Sequence, residues 1–322
     1  MRRQMTQFYA IARLTAREAV RSSVILLVAA VCMVLHALLP MTVSHTLGES
    51  GRMMADASMS LHLLAGLLVG SFAACHSLSG EVRGGTAASI LSKPVSPSLF
   101  YLAKFAGVAS PLLAFSAMAT AAGLLGARAA AEPYTFDSWA AFPLLLAPVI
   151  AFTLAGVINF FTRHPFNSVA FTLLMVCVGA AFLFGAWVDA SGHLCAFGAL
   201  YSWPLVSAHF LVAQAVLLLA ALALALAVRL QTIATVTLCG VLFLVGMMSD
   251  YAFGRAAASS RLAALLYRVV PNGQVFWVMD ALHSGQVISG RYLTQATLYG
   301  ALLLLALLFS GLVLFRHAEV KS

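Results

Sequence analysis

Few residues in this chain carry side chains able to do chemistry, and most of them sit inside long apolar runs. His36, His62, His76, His209, Asn159 and Gln214 fall within such runs, as do Cys32, Cys75, Cys177 and Cys239; Cys195 lies in a polar break. Polar groups placed within a membrane either line an ion or substrate pathway or hydrogen-bond neighbouring helices. His62, Cys75, His76 and Asn159 are the candidates for lining a path, with helix packing as the alternative reading of each. Glu81, Glu132, Asp189 and Asp250 fall at the ends of apolar runs, so no carboxylate is placed at a bilayer midplane for ion coupling. Met41, His45, Met53, Met54, Met59 and His62 gather near one polar break. Soft ligands of this kind suit Cu(I), but their spacing follows no metal-site pattern and Met is also a common gap-filler, so no metal is expected.

Other chemistry has no sequence support. There is no G-x-x-x-x-G-K-[ST] and no H-E-x-x-H, so neither a P-loop ATPase nor a zinc hydrolase is indicated. The five cysteines are odd in number and contain no C-x-x-C, which argues against a disulfide framework. The scattered serines define no Ser-His-Asp grouping. The chain itself is expected to be no enzyme and to bind no cofactor.

The elements that must position these residues are set by composition. Of 322 residues, 62% are hydrophobic and 9% charged, with a mean hydropathy of +0.98. Soluble domains are about 45–50% apolar and about 25% charged. A spanning helix needs about 20 apolar residues, and eight spans are predicted at 23–43, 59–80, 101–127, 140–162, 167–188, 206–228, 232–250 and 294–315. The sixth and seventh are nearly fused across Arg229-Leu230-Gln231-Thr232. The expected fold is therefore an all-α integral membrane protein, one transmembrane domain over 1–322. The net charge of +8 could suggest nucleic acid, but Lys and Arg alternate with apolar runs, as membrane topology requires. With the N-terminus inside, twelve of the 18 basic residues lie inside and six outside; both termini are then cytoplasmic. Residues 1–21 are too long a basic lead-in for a cleavable signal.

Three connecting segments have ordered signals. Over 7–21, Phe8, Ile11, Ala12, Thr15 and Ala19 recur at helical spacing opposite Arg13, Arg17 and Arg21. This predicts a helix in the headgroup region, with its apolar face down and its Arg side toward lipid phosphate. Over 81–100, Gly84-Gly85 breaks one helix, Thr86 can cap a short new one and Pro94 ends it. Over 255–293, Leu262, Leu265, Leu266 and Val269 share a helical face, Pro271-Asn272-Gly273 turns the chain, and Val275-Phe276-Trp277 suits a membrane interface.

The stretch Glu81…Gly85-Thr86…Leu91-Ser92-Lys93-Pro94-Val95-Ser96…Phe100…Lys104 resembles the signature of type-2 ABC transporter permeases, nearest the multicopper-enzyme-maturation permease-like subgroup. Val270-Pro271-Asn272…Phe276…Asp280-Ala281-Leu282…Gly285…Ile288…Tyr292 and Phe315-Arg316 resemble the approach to and exit from that subgroup's last span. Pro97 replaces the subgroup's usual Arg and Ala103 its frequent Gly. Two further spans lengthen its usual core of six.

The resemblance implies a permease subunit of an ABC transporter, paired with a second permease copy and two cytoplasmic ATPase subunits that hold the ATP and Mg. Residues 7–21 would be the elbow helix. Residues 83–98 would be the coupling segment, with Glu81, Arg83, Gly85, Thr86, Lys93, Pro94, Val95, Ser96 and Lys104 serving ATPase coupling. The path would lie at the dimer interface, lined by the first, second and fifth spans. The setting would be a bacterial-type inner membrane, with lipid as the other partner. Two other readings stay open: a membrane enzyme acting on lipid or lipid-linked substrates, and a non-transporting anchor subunit.

Single cysteines at Ser92 and Ser284 test the topology. An impermeant thiol reagent applied from the outside is expected to label position 284 and not 92; the reverse pattern contradicts the orientation.

Overall fold

The computed structural model describes residues 2–43, 50–83, 95–131, 136–258, 260–284 and 287–319. The chain is all-helical: among the described residues 84% of the structure is helix and no strand occurs, apart from one isolated bridge, Val188 to Leu194. The helices are α1 (Arg2–Arg21), α2 (Ser23–Val43), α3 (Ser50–Arg83), α4 (Pro97–Ala129), α5 (Ser138–Thr162), α6 (Phe166–Trp187), α7 (Pro204–Ala227) and α8 (Thr232–Met247). After a π-helical stretch at Asp250–Gly254 come α9 (Arg261–Val269), a 3-10 turn at Gly273–Phe276, α10 (Met279–His283) and α11 (Gly290–Glu319).

Seven of these helices are long and apolar enough to cross a membrane: α2 to α7 and α11. The expected eighth span differs. α8 has 16 residues, about 24 Å at 1.5 Å per residue, short of a core about 30 Å thick. Its path continues through a turn at Met248 into the π-helical stretch. α3 and α4 differ in the other sense. At 34 and 33 residues they run about 50 Å each. Hydropathy underestimates α3 because Arg52, Asp56, Ser58 and Ser60 continue the helix past the point where the apolar run ends.

The core centres on α3, α4 and α7, which pack against one another; α2, α5, α6, α8 and α11 surround them. Small residues let the backbones approach, as they must where lipid gives helices no hydrophobic reason to associate. A Cβ added at Gly66 would lie 2.7 Å from Val216 of α7, and one at Gly70 3.1 Å from Leu112 of α4. The ends of α4 and α11 meet through Phe100, Tyr101 and Phe315, with ring centroids 5.7 and 5.9 Å apart, and Arg316 donates to Ser98 at 2.6 Å.

α1 is the expected amphipathic helix, and Arg13, Arg17 and Arg21 are exposed on it. Its small-residue face is not turned down into lipid, however. Thr15 and Ala19 are buried, and α1 lies across α4, with lesser contacts to α6 and α2. The seat is Gly107, where an added Cβ would meet Thr15 Cβ at 2.5 Å and the Ala12 carbonyl at 2.6 Å. Asn167 at the start of α6 donates to Arg21 O at 2.8 Å and holds the far end.

Gly107→Leu is expected to lift α1 off α4 and cost about 1–3 kcal/mol, the usual range for overpacking. Gly156 has nothing within 4 Å of an added Cβ, so Gly156→Leu should leave the melting temperature in detergent unchanged. Equal melting temperatures for the two variants would contradict the seat.

Candidate functional site

Polar side chains in a helical bundle without water must satisfy one another, and the described residues do so at four places. The most enclosed is a histidine cluster formed by α2, α3 and α7. His36, His62 and His209 are each 0% exposed. His62 Nδ1 and His209 Nδ1 lie 3.0 Å apart, with the rings stacked at 5.2 Å and the edge of His62 against Phe115. A hydrogen bond between two Nδ1 atoms holds one proton, so one ring donates and the other accepts. His36 Nδ1 lies 2.7 Å from Cys32 O; a carbonyl can only accept, so His36 donates there. The Nε2 atoms of His62 and His209 are buried without a hydrogen-bond partner, while His36 also lies against the backbone of Ser58. Gly123 of α4 makes room for the pair, since a Cβ there would lie 2.5 Å from His209 Nε2.

The second place is the end of the bundle where α4 finishes and α5 begins. Arg128 at the end of α4 donates from Nε to Asp137 Oδ2 at 2.7 Å, and its Nη2 lies 2.7 Å from the same oxygen. The Arg128 side chain is buried, at 2% exposure, and that of Asp137 nearly so, at 9%. Nη1 donates to Gly185 O near the end of α6. Asp137 is also the N-cap of α5, where its Oδ1 accepts from the N–H groups of Trp139 and Ala140. Nearby, Tyr201 donates to Phe182 O at 2.7 Å, and burial raises the pKa of that phenol. In the same loop the Asp189 carboxyl accepts from the N–H groups of His193 and Ser191. The first of these bonds is the main cause of its lowered pKa. The turn it closes therefore persists above the ordinary carboxylate range and opens only as pH falls through that lowered value.

The third place follows α8. Asp250 Oδ1 accepts from Tyr267 at 2.7 Å and from Asn272 at 3.1 Å, and this carboxylate raises the Tyr267 pKa. Gln274 donates to Met247 O, and the Asn272 N–H to the Tyr299 hydroxyl. The expected outer cap of short helices thus folds back beside α8 and α11 and satisfies the groups that the short α8 leaves open. The Leu262 and Leu265 side of α9 faces outward. The fourth place is the Gln214–Thr297 bond between α7 and α11, 2.9 Å.

Of the four residues expected to line a path, only His62 joins the buried cluster. Cys75 is buried where α3 meets α8. His76 is exposed and stacked on Phe72. Asn159 closes the last turn of α5 by donating to His164 O. The structure does not bring these four together. Met54 and Met59 are packed in the core while Met41 and Met53 are exposed, so the methionines do not converge either; His45 lies outside the described residues. Among the described residues no group of three His, Cys, Asp or Glu is placed to hold a metal ion.

Gly85, Thr86, Lys93 and Pro94 also lie outside the described residues; Glu81 and Arg83 belong to the last turn of α3. Val95 and Ser96 lead into α4, and Ser96 caps it by accepting from the Leu99 N–H. The helix starts at Pro97, inside the segment assigned to coupling. Lys104 is 1% exposed, with its ammonium over the Phe100 ring at 5.5 Å. It is therefore buried inside the bundle.

Spacing could not have revealed the His62–His209 contact, which joins residues 147 apart. The Arg128–Asp137 pair left a readable signal: a basic residue closing one apolar run and a capping Asp opening the next.

Comparison with family models, curated proteins and solved structures found no match. What the chain is rests on its own residues: a multi-pass, all-helical membrane protein with a histidine cluster sealed among three of its helices.

His62→Leu and His209→Leu should each leave the other ring's Nδ1 buried and unpaired, at about 1–3 kcal/mol. The double variant should cost less than their sum by about 0.5–3 kcal/mol. Additive losses in thermal or denaturant unfolding would show that the rings are not coupled.

Proposed function

We propose that the chain is the membrane-spanning permease subunit of a transporter powered by a separate ATPase. The observation that carries this reading is the pairing of α3 and α4. Each is longer than the hydrocarbon core is thick, they pack along one another, and their neighbouring ends flank 84–96, where the permease-like motif stands. Two stiff helices that pack along one another and share one connecting segment suit the transmission of a rigid-body movement.

The base of the pair is braced on two sides. α1 is wedged against Gly107, three residues from the buried Lys104. The Phe100–Phe315 stack and the Arg316–Ser98 hydrogen bond fasten it to α11. Because α3 and α4 pack along one another, a push on 84–96 would move them together. α3 carries His62 and touches α2, α7 and α8, so the movement would reach the histidine cluster and the faces around it. ATP and Mg would be held by the ATPase, and the permease would act as a pair of copies with two ATPase subunits. Both termini would be cytoplasmic in a bacterial-type inner membrane, with Arg13, Arg17 and Arg21 at the level of lipid phosphate.

The tagged chain, isolated from its native membrane in mild detergent, should carry a P-loop ATPase with it. Lys93→Glu combined with Pro94→Ala should release the ATPase while leaving the chain in the membrane. Recovery of the chain alone, or an ATPase retained by the double variant, would contradict the proposal.

A further inference from the structure

A cleft of about 480 Å³ lies between α4, α6 and α7. Leu113, Leu124, Phe182, Trp203 and Phe210 wall it. Its floor is made by small residues, Ala117, Ala121 and Ala213, which leave a trough where larger side chains would have closed the seam. His209 forms part of the back wall, so the cleft is separated from the His62–His209 pair by one ring. Leu113, Trp203 and Phe210 are each nearly half exposed, at 49%, 46% and 49%. The cleft therefore opens sideways, toward the surroundings of the bundle.

What fills this space follows from the walls. A void of this size forfeits dispersion contacts along its whole lining. Water is a poor filler, because each molecule needs about two to four polar partners. The polar side chains on the lining are Ser116, Thr120 and His209; the Thr120 hydroxyl is committed to Ser116 O at 2.8 Å, His209 Nδ1 to His62, and His209 Nε2 is sealed away beside Gly123, which leaves the Ser116 hydroxyl alone, too few partners for water. Hydrocarbon remains. The length also fits. From Leu113 to Leu124 the cleft follows eleven residues of α4, about 16 Å at 1.5 Å per residue. One leaflet is about half of a hydrocarbon core about 30 Å thick. Trp203 stands at the outer end, its indole N–H donating to Gly198 O at 3.0 Å, among Phe182, Tyr201 and Phe197. Such aromatic groups collect at headgroup level.

We propose that this cleft binds one acyl chain of an outer-leaflet phospholipid as a resident ligand, its headgroup end at Trp203 and its methyl end at Leu113. The site needs neither a second copy nor an ATPase, because it is built by α4, α6 and α7; only the choice of leaflet rests on the orientation given under the proposed function. Its occupant packs against the back of His209, so the filled cleft supports the ring that holds His62.

The full chain in nanodiscs containing a phospholipid with a diazirine near the end of one acyl chain gives the test. Photolysis should label 113–124 and 203–213 several-fold more than the exposed apolar faces of α5 and α11, with about one lipid per chain surviving delipidation by native mass measurement. Ala117→Trp, and separately Ala213→Trp, should abolish that excess labelling and the retained lipid, while labelling of α5 continues and certifies the fold. Labelling no greater than on α5 would overturn the proposal, as would excess labelling that survives both variants. Cross-linking of Phe210 to a second copy in place of lipid would overturn it too, by assigning the cleft to a protein interface.

Discussion

Hydrocarbon offers no hydrogen-bond partner, and the Arg128–Asp137 pair shows what that constraint does to this chain. A buried guanidinium and a buried carboxylate are tolerable only together, since breaking such a pair typically costs about 3–5 kcal/mol. Here the two hold three helix ends at once: the end of α4 carries Arg128, Asp137 caps α5, and Gly185 of α6 accepts the remaining donor. That end of the bundle is thereby fixed. The same rule explains why a polar cluster follows the short α8, and why the histidines of three separate helices converge instead of facing lipid.

Between these polar fastenings, shape does the rest. Gly66, Gly70 and Gly107 occur where a Cβ would collide with a neighbouring helix, and they set how closely α3, α4, α7 and α1 approach. The arrangement joins the two ends of the molecule mechanically. At one end α4 is braced by α1 and α11, and further along the α3–α4 pair carries His62 and Gly123 in the interior. Any movement imposed at 84–96 would be felt at the histidines.

Much of this was legible in the sequence. Long apolar runs separated by short polar breaks gave the all-helical membrane fold, because a bilayer leaves few alternatives. The spacing of Thr15 and Ala19 opposite Arg13, Arg17 and Arg21 gave α1 and its two faces. Which surface covers its small face was not legible, since Gly107 and Thr15 meet only after folding. Helix length was misjudged at α3, where polar residues prolong the helix, and at α8, where an apolar run ends in a π-turn. The site was half legible. His62 stood out as a polar residue in an apolar run, but so did His76, and only three-dimensional packing separates a ring held at 3.0 Å from His209 from one on the outer surface.

The central claim is that α3 and α4 move as one body and pass on a movement made at their connecting segment. Pulsed electron–electron distances between spin labels at Val95 and Arg163, in nanodiscs with the ATPase that the proposed function requires, test it most directly. Adding a non-hydrolysable ATP analogue should shift that distance distribution, while the distance between Val95 and Arg316, fastened by the Phe100–Phe315 stack, stays fixed. An unchanged Val95–Arg163 distance, or an equal shift in both, would contradict the account.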